Sequence, residues 1–204
     1  MSDKEFHVAD EREKIPEEIV YVIDDDEDIR SILLSLFKRR GISCKTYNSA
    51  EDFLDVFPLG GVGCILLDLK MDGMNGLELQ ARLRTLKCPF PIIFLTGNAS
   101  VSAAVEAVRT GAFDFLEKPF ENNKLVRLVE AALETCRNKI NHQKRFDILT
   151  LREREVFDLI VLGKTNKGVA DDLGISLSTI EFHRANIMKK LNARSLEDLI
   201  ALAR

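Results

Sequence analysis

The stretch IVYVIDDDEDIR, Ile19 to Arg30, sets five residues that favour burial directly against five consecutive acids, Asp24 to Asp28. Unpaired carboxylates repel. At ~4 Å and an effective dielectric of ~20, two of them cost about 4 kcal/mol. Either these acids are solvated residues at a helix start, or something positive is meant to sit among them. The rest of the chain decides between the two.

Further short apolar runs follow: CKTYN (44–48), weaker than the others, then CILLDL (64–69), PIIFLT (91–96) and FDFLEK (113–118). They do not alternate with polar residues, so they predict strands buried on both faces of a parallel sheet. Helical patterns lie between them. Ile29, Ile32, Leu33, Leu36 and Phe37 fall at i, i+3, i+4, i+7 and i+8, with Gly41 as a stop. A second helix is expected at 49–57, a third from Leu77 to Leu86, a fourth on Val101, Val105 and Val108, and a fifth on Leu125, Leu128, Val129 and Leu133. Strand then helix, five times over, predicts an α/β fold: a (βα)5 doubly wound parallel-sheet domain over 19–138. Residues 1–18 are polar and read as a mobile tail.

After residue 138 the grammar changes. Residues 139–148 fall in a polar stretch without an apolar stripe and read as a linker. Helical patterns then occupy about 150–163, 165–173, 176–191 and 195–203, with Gly163 and Gly174 between them. An all-α four-helix domain over 149–204 is the expectation. The net charge of -4 hides an asymmetry. Residues 1–120 carry 14 Lys/Arg against 21 Asp/Glu, giving -7, whereas residues 148–204 carry 9 against 8, giving +1. A mildly basic back permits a nucleic-acid partner without demanding one. The four cysteines, Cys44, Cys64, Cys88 and Cys136, form no CxxC pair, which argues against a metal framework and for a reducing compartment. No apolar run reaches the ~18 residues of a membrane span, so the expectation is a cytoplasmic protein with no membrane partner.

In a parallel sheet all carboxyl ends lie on one edge, and ligands bind in the crevice there. IVYVI ends in Asp24 and Asp25, CILL in Asp68, IIFL in Thr96 and FDFLE in Lys118. Three carboxylates, a hydroxyl and an ammonium should therefore converge on one rim. One acid after a strand is commonly a helix N-cap, as Asp26 is expected to be, and one Lys is commonly solvated. Four polar strand ends on one edge call for a chemical reason. Phosphoryl transfer to a carboxylate needs this set. The acids hold a hard divalent cation, Mg²⁺, through oxygens. That cation relieves their repulsion and neutralises the incoming phosphoryl oxygens. Asp68 is then the nucleophile, and Thr96 and Lys118 each bond a phosphoryl oxygen.

The strings VIDDDEDIR, ILLDLKMDGMNGLEL and IIFLTGNASVSAAVEAVRTGAFDFLEKPF resemble, in order, the receiver domain of two-component response regulators. The resemblance implies that Asp24 and Asp25 are the acid pocket, Asp68 the phospho-acceptor and the backbone carbonyl of Lys70 a third metal ligand. It also implies that Thr96 is the switch hydroxyl, Phe115 the switch aromatic and Lys118 the phosphate-binding lysine, with a cis Lys118–Pro119 bond. Lys70 and Asn98 are expected to flank the phosphate and affect its hydrolysis. One departure stands out. The family commonly has Pro where Asp72 follows Met71, which places an extra negative charge beside the acceptor loop.

Residues 149–202 carry a helix-turn-helix signal. Thr165, Val169, Ala170 and Leu173 pattern a short helix, Gly174 makes a tight turn, and Ile180, Ile187 and Leu191 anchor a second helix. The whole segment resembles the LuxR-type DNA-binding domain, and the combination resembles the FixJ/NarL subfamily. The second helix leaves Ser178, Glu181, Phe182, Ala185, Asn186 and Lys189 on the face expected in the major groove, and Thr179 completes the expected DNA-binding set. Arg184, Lys189 and Lys190 are phosphate candidates, and Arg184 can also reach bases. Phe182 suits a thymine methyl, and Glu181 suits a cytosine amino group. Ser178 and Glu181 also fit a capping box; if Ser176 caps instead, Glu181 is available to DNA. His183 is expected to pack or to meet a phosphate.

The implied function is a phosphorylation-dependent transcription regulator, not an enzyme. Its expected partners are a histidine kinase, double-stranded promoter DNA and a second copy of itself on phosphorylation, with RNA polymerase a further candidate. Phosphate on Asp68 should draw Thr96 and Phe115 inward and remodel the surface over about 100–118, the expected dimer face; release of a recognition helix held against the receiver is the alternative switch. Two rivals are a Mg²⁺-dependent phosphohydrolase, which would need a cap or substrate domain that the chain lacks, and a constitutive DNA-binding protein with an inactive receiver.

Overall fold

The computed structural model describes residues 18–57, 60–97 and 109–203. The expected fourth helix, the tail before residue 18 and Asn98 lie outside them. The first unit alternates β1 (Glu18–Ile23), α1 (Glu27–Arg39), β2 (Ser43–Tyr47), α2 (Ala50–Asp55), β3 (Val62–Asp68), α3 (Gly76–Thr85), β4 (Ile92–Thr96) and β5 (Asp114–Glu117). The five strands form one parallel sheet in the order β2-β1-β3-β4-β5. The chain steps outward from β1 to β2 and then returns past it to β3. The switch point, and hence the crevice, therefore lies between the carboxyl ends of β1 and β3.

Burial along the strands follows their place in the sheet. Every residue of β3 and β4 is buried. These are central strands covered on both faces, which is why their sequences do not alternate. The edge strands β2 and β5 are mostly half-buried, because each lacks a neighbour on one side. Three N-caps set the entries into the helices. Asp26 accepts from Asp28 N and Ile29 N, Ser49 from Asp52 N, and Asn75 forms a capping box with Glu78. Each satisfies backbone donors that the first helical turn would otherwise leave open.

The long helix α4 (Asn122–Asp147) carries Leu125, Val126, Val129, Ala132, Leu133 and Cys136 on its buried face. The polar run expected to be a linker is helical as far as Asp147. The compact units divide between Asn138 and Lys139, inside this helix. The second unit contains the end of α4 together with α5 (Leu151–Val161), α6 (Asn166–Leu173), α7 (Leu177–Lys190) and α8 (Leu196–Ala203). Phe146, in the supposed linker, is 4 % exposed and belongs to the second core with Val156, Phe157, Ile160, Ile180 and Ile187. His142 reaches the Leu202 carbonyl through Nε2 at 2.6 Å. His142, Phe146 and Leu149 form a stripe at i, i+4 and i+7. It was not visible as apolar periodicity because one of its members is a histidine. Among the described residues, no helix is long and apolar enough to cross a membrane.

Candidate functional site

Asp24 follows the last residue of β1, and Asp68 is the last residue of β3, the two strands that flank the switch point. Both are buried, at 1 % and 6 % exposure. Between them stands the Lys118 ammonium, just past β5, donating to Asp24 Oδ2 at 2.6 Å and to Asp68 Oδ1 at 2.7 Å. The remaining oxygens are held by backbone donors. Asp26 N reaches Asp24 Oδ1 at 3.0 Å, and Lys70 N reaches Asp68 Oδ2 at 2.7 Å. Asp25 is exposed, and its Oδ2 accepts from Asp72 N at 3.3 Å. The acids of the opening stretch thus divide by position. Asp24 enters the pocket, Asp25 lies on its rim, and Asp26 caps α1.

Thr96, the last residue of β4, is 2 % exposed, and its carbonyl accepts from Lys118 N at 2.7 Å. That bond ties the ends of β4 and β5 and helps aim Lys118 inward. The Lys118–Pro119 bond is cis, as the resemblance implies. Phe115 is half-buried beside Phe94 in the register of β4 and β5.

The electrostatics are those of a site short of positive charge. Burial raises the pKa of Asp24 above 3.8; the bond and charge of Lys118 offset this only in part, and Asp68 adds to it. Burial pushes the Lys118 ammonium down, but its two carboxylate partners together outweigh that and hold its pKa above 10.5. Among the described residues, no three His, Cys, Asp or Glu side chains gather closely enough to hold a metal by themselves. Two carboxylates sharing a single ammonium, with a third carboxylate on the rim, offer hard oxygen donors. That set suits Mg²⁺, which takes few protein ligands and keeps several waters.

Sequence reasoning missed Gly76. A Cβ there would lie 2.4 Å from the Asp68 carbonyl oxygen and 3.1 Å from Leu69 Cα. The start of α3 packs directly on the backbone that carries Asp68. The signal was the Gly of DGMNGLEL, which pattern reading treats only as a helix start. The cysteines have no place in the site. Burial pushes Cys44 up to about 12 and Cys88 up to about 11, so both stay thiols and poor nucleophiles.

In the second unit, Thr165 caps α6, and Gly174 ends it in the left-handed region at φ 62°. Ser176 caps α7, its Oγ accepting from Thr179 N at 3.2 Å. This decides between the two capping alternatives, and Glu181 is not used at the cap. Ile180 and Ile187 are buried, while Ser178, Glu181, Phe182, Ala185 and Lys189 are exposed, Phe182 at 63 %. Thr179, Arg184 and Asn186 are half-buried. His183 packs with Nδ1 buried and without a hydrogen-bond partner among the described residues.

Two of the expected phosphate contacts have partners within the protein. Arg184 Nη1 donates to Asn166 Oδ1 at 3.0 Å, joining the two helices of the helix-turn-helix. Lys190 Nζ donates at 2.6 Å to Oε2 of Glu153, which is 3 % exposed. Glu153 also completes a capping box with Thr150 at the start of α5. Burial pushes the Glu153 carboxyl up, but Lys190 and the Thr150 bonds outweigh that and hold it below 4.5. Thr150-Leu-Arg-Glu153 before an apolar run was a readable capping signature. Its lysine, 37 residues away, was not readable.

Comparison with known proteins agrees with both halves. Residues 20–130 match the response regulator receiver domain, and residues 147–203 match the luxR family of bacterial regulatory proteins. The chain is 39 % identical over 191 residues to the transcriptional regulatory protein FixJ of Bradyrhizobium diazoefficiens, covering 90 % of this chain and 93 % of that one. It is also 39 % identical to the C4-dicarboxylate transport transcriptional regulatory protein DctR of Rhodobacter capsulatus, covering 88 % and 96 %. Among solved structures, full-length FixJ from B. japonicum is similar at a TM-score of 0.58 and 38 % identity, covering 91 % of this chain and 95 % of that one. The response regulator StyR is similar at 0.61 and 36 %, covering 92 % and 98 %. Receiver domains generally bind Mg²⁺ at their phosphorylation site, and the family's function is phosphorylation-dependent regulation of transcription rather than catalysis of a metabolic reaction. The chain belongs to the two-component response regulators that join a receiver domain to a LuxR-type DNA-binding domain, as FixJ does.

Proposed function

We propose that Asp68 is the phospho-acceptor of this regulator and that its phosphorylation controls dimerisation and promoter binding in the cytoplasm. One observation carries the reading: Asp68 is a buried carboxylate at the switch point, bonded to Lys118 at one oxygen and to Lys70 N at the other. In the transfer, an Asp68 oxygen forms the new bond to phosphorus as the bond to a phosphohistidine nitrogen of the kinase breaks, and the electron pair leaves with that nitrogen. Lys118 then moves from the carboxylate to a phosphoryl oxygen. Bound Mg²⁺ would supply the positive charge that the phosphoryl oxygens need. Asp24, Asp25, Asp68 and the Lys70 carbonyl are its ligands in this reading.

With phosphate present, the Thr96 hydroxyl bonds a phosphoryl oxygen and Phe115 follows inward, altering the face that the second copy meets. Two recognition helices then reach adjacent half-sites. Glu181 and Phe182 read bases, Ser178, Thr179, Asn186 and Lys189 line the groove, and Arg184 and Lys190 reach DNA only as far as their protein partners allow.

The test is labelling with acetyl phosphate. The chain should take up Mg²⁺-dependent, hydroxylamine-labile phosphate, and Asp68→Asn should lose it while keeping the fold. Label that survives hydroxylamine would assign another residue. A selected DNA site bound with the same affinity and stoichiometry before and after phosphorylation would sink the coupling.

A further inference from the structure

We propose that the backbone N–H of Asp72 positions the Asp25 carboxylate for metal binding, making Asp72 a positioning residue of the acid pocket. The proposal rests on the reading of the pocket as a Mg²⁺-dependent phosphoryl acceptor. Each carboxylate of the pocket is held by one backbone donor. Asp26 N holds Asp24 at 3.0 Å, Lys70 N holds Asp68 at 2.7 Å and Asp72 N holds Asp25 at 3.3 Å. The first two bonds are local, each spanning two residues. The third spans 47 residues and joins the loop after β1 to the loop after β3.

It is also the bond with most to order. Asp24 and Asp68 are buried and further held by Lys118, whereas Asp25 is exposed, so water competes for its carboxylate and its rotamers are open. A tether that fixes one Asp25 oxygen removes part of the entropy that metal binding would otherwise have to supply. The same bond orders the acceptor loop. Lys70 N and Asp72 N are pinned to different carboxylates, and the Lys70 carbonyl lies between them in the chain. A metal ligand contributed by that carbonyl is thus held from both sides. The donor is a backbone group, so any residue but proline at position 72 can supply it. The exposed Asp72 carboxylate adds a separate, salt-screened charge.

The closing experiment titrates the full-length protein with Mg²⁺ by calorimetry. It compares the unaltered chain with Asp72→Asn, which keeps the N–H and removes the charge, and with Asp72→Pro, which removes both. Each is repeated in an Asp25→Ala background. Asp72→Pro should weaken Mg²⁺ binding beyond Asp72→Asn by roughly three- to tenfold, the range expected for one net hydrogen bond. In the Asp25→Ala background that difference should vanish, because the acceptor of the bond is gone. A normal effect of Asp25→Ala with no added effect of Asp72→Pro would overturn the proposal and leave the acid pocket intact. An equal effect of Asp72→Pro in both backgrounds would also overturn it, by placing the action elsewhere. No Mg²⁺ binding by the unaltered chain, or none lost in Asp25→Ala, would remove the pocket reading and the proposal together.

Should Asp72→Pro fail to fold, amide NMR decides. The Asp72 N–H resonance should move upfield in Asp25→Ala while that of Lys70 holds its place. An unmoved Asp72 resonance would show that no such bond forms.

Discussion

Asp24 and Glu153 make an instructive pair. Both are buried carboxylates, 1 % and 3 % exposed, and each is bonded to a lysine at 2.6 Å. Their pKa values nevertheless move in opposite directions. Glu153 has Lys190 to itself and adds a backbone and a hydroxyl donor from Thr150. For Asp24 burial is the largest influence, and Lys118, which it shares with the buried acid Asp68, does not overcome it. A structural ion pair is complete within the protein. The receiver pocket is left one positive charge short, a deficit that suits the proposed cation and phosphoryl group. Burial of charge therefore does not by itself mark a functional site; the incomplete neutralisation does.

The sharpest way to break the comparison is to remove one partner in each unit. Lys190→Ala leaves the Glu153 carboxylate buried without its counter-ion and should destabilise the second unit by about 1–3 kcal/mol. Asp24→Asn removes a charge whose burial was already unfavourable, so the first unit should keep or gain stability while losing Mg²⁺-dependent labelling. Hydrogen exchange resolved by unit measures both. Equal losses in the two units would mean that both pairs are structural. Lys190→Ala also weakens DNA binding by loosening α7, so its effect on affinity should track its effect on stability rather than the salt slope of a simple phosphate contact.

Gly76→Ala tests how tightly the acceptor is packed. The new Cβ meets the Asp68 carbonyl at 2.4 Å, so the strand end or α3 must shift. A loss of about 1–3 kcal/mol by urea unfolding, together with slower labelling, is the expected result. At the other site, Glu181→Ala should relax preference at one base position by ~1–3 kcal/mol without lowering helix stability, because Ser176 rather than Glu181 serves the cap. Binding to a library of selected sites checks this.

The smallest effect is the pH dependence, and its sign separates the two acids. The folded pKa of Glu153 lies below 4.5, so its contribution to stability is present above pH 4.5 and is lost as pH falls through the depressed value. The folded pKa of Asp24 lies above 3.8, so its unfavourable ionisation is absent below pH 3.8 and grows as pH rises through the raised value. The pH slope of stability removed by Glu153→Gln should be positive and that removed by Asp24→Asn negative. Slopes of the same sign would refute the contrast.

Most of the fold was legible in the chain. The non-alternating runs located β1, β3 and β4 because strands covered on both faces have no polar side to show. Parallel strands put their carboxyl ends on one edge, so Asp24, Asp68, Thr96 and Lys118 could be brought together from their positions in the sequence alone. The helix-turn-helix was readable from Ile180 and Ile187 and from Gly174, which supports a left-handed turn. These features are local, or follow from a topological rule that needs no coordinates.

What the tertiary structure alone decided are the meetings of distant side chains and backbones. Lys190 finds Glu153 across 37 residues, and Asp72 N finds Asp25 across 47. Gly76 lies against the Asp68 carbonyl. The polar segment 139–147 is helical, with Phe146 in the second core and His142 bonded to the Leu202 carbonyl. Periodicity reports how much of a face is buried and nothing about the partner that buries it. Whether a buried charge ends up satisfied or poised depends on that partner, and only the packed chain supplies it.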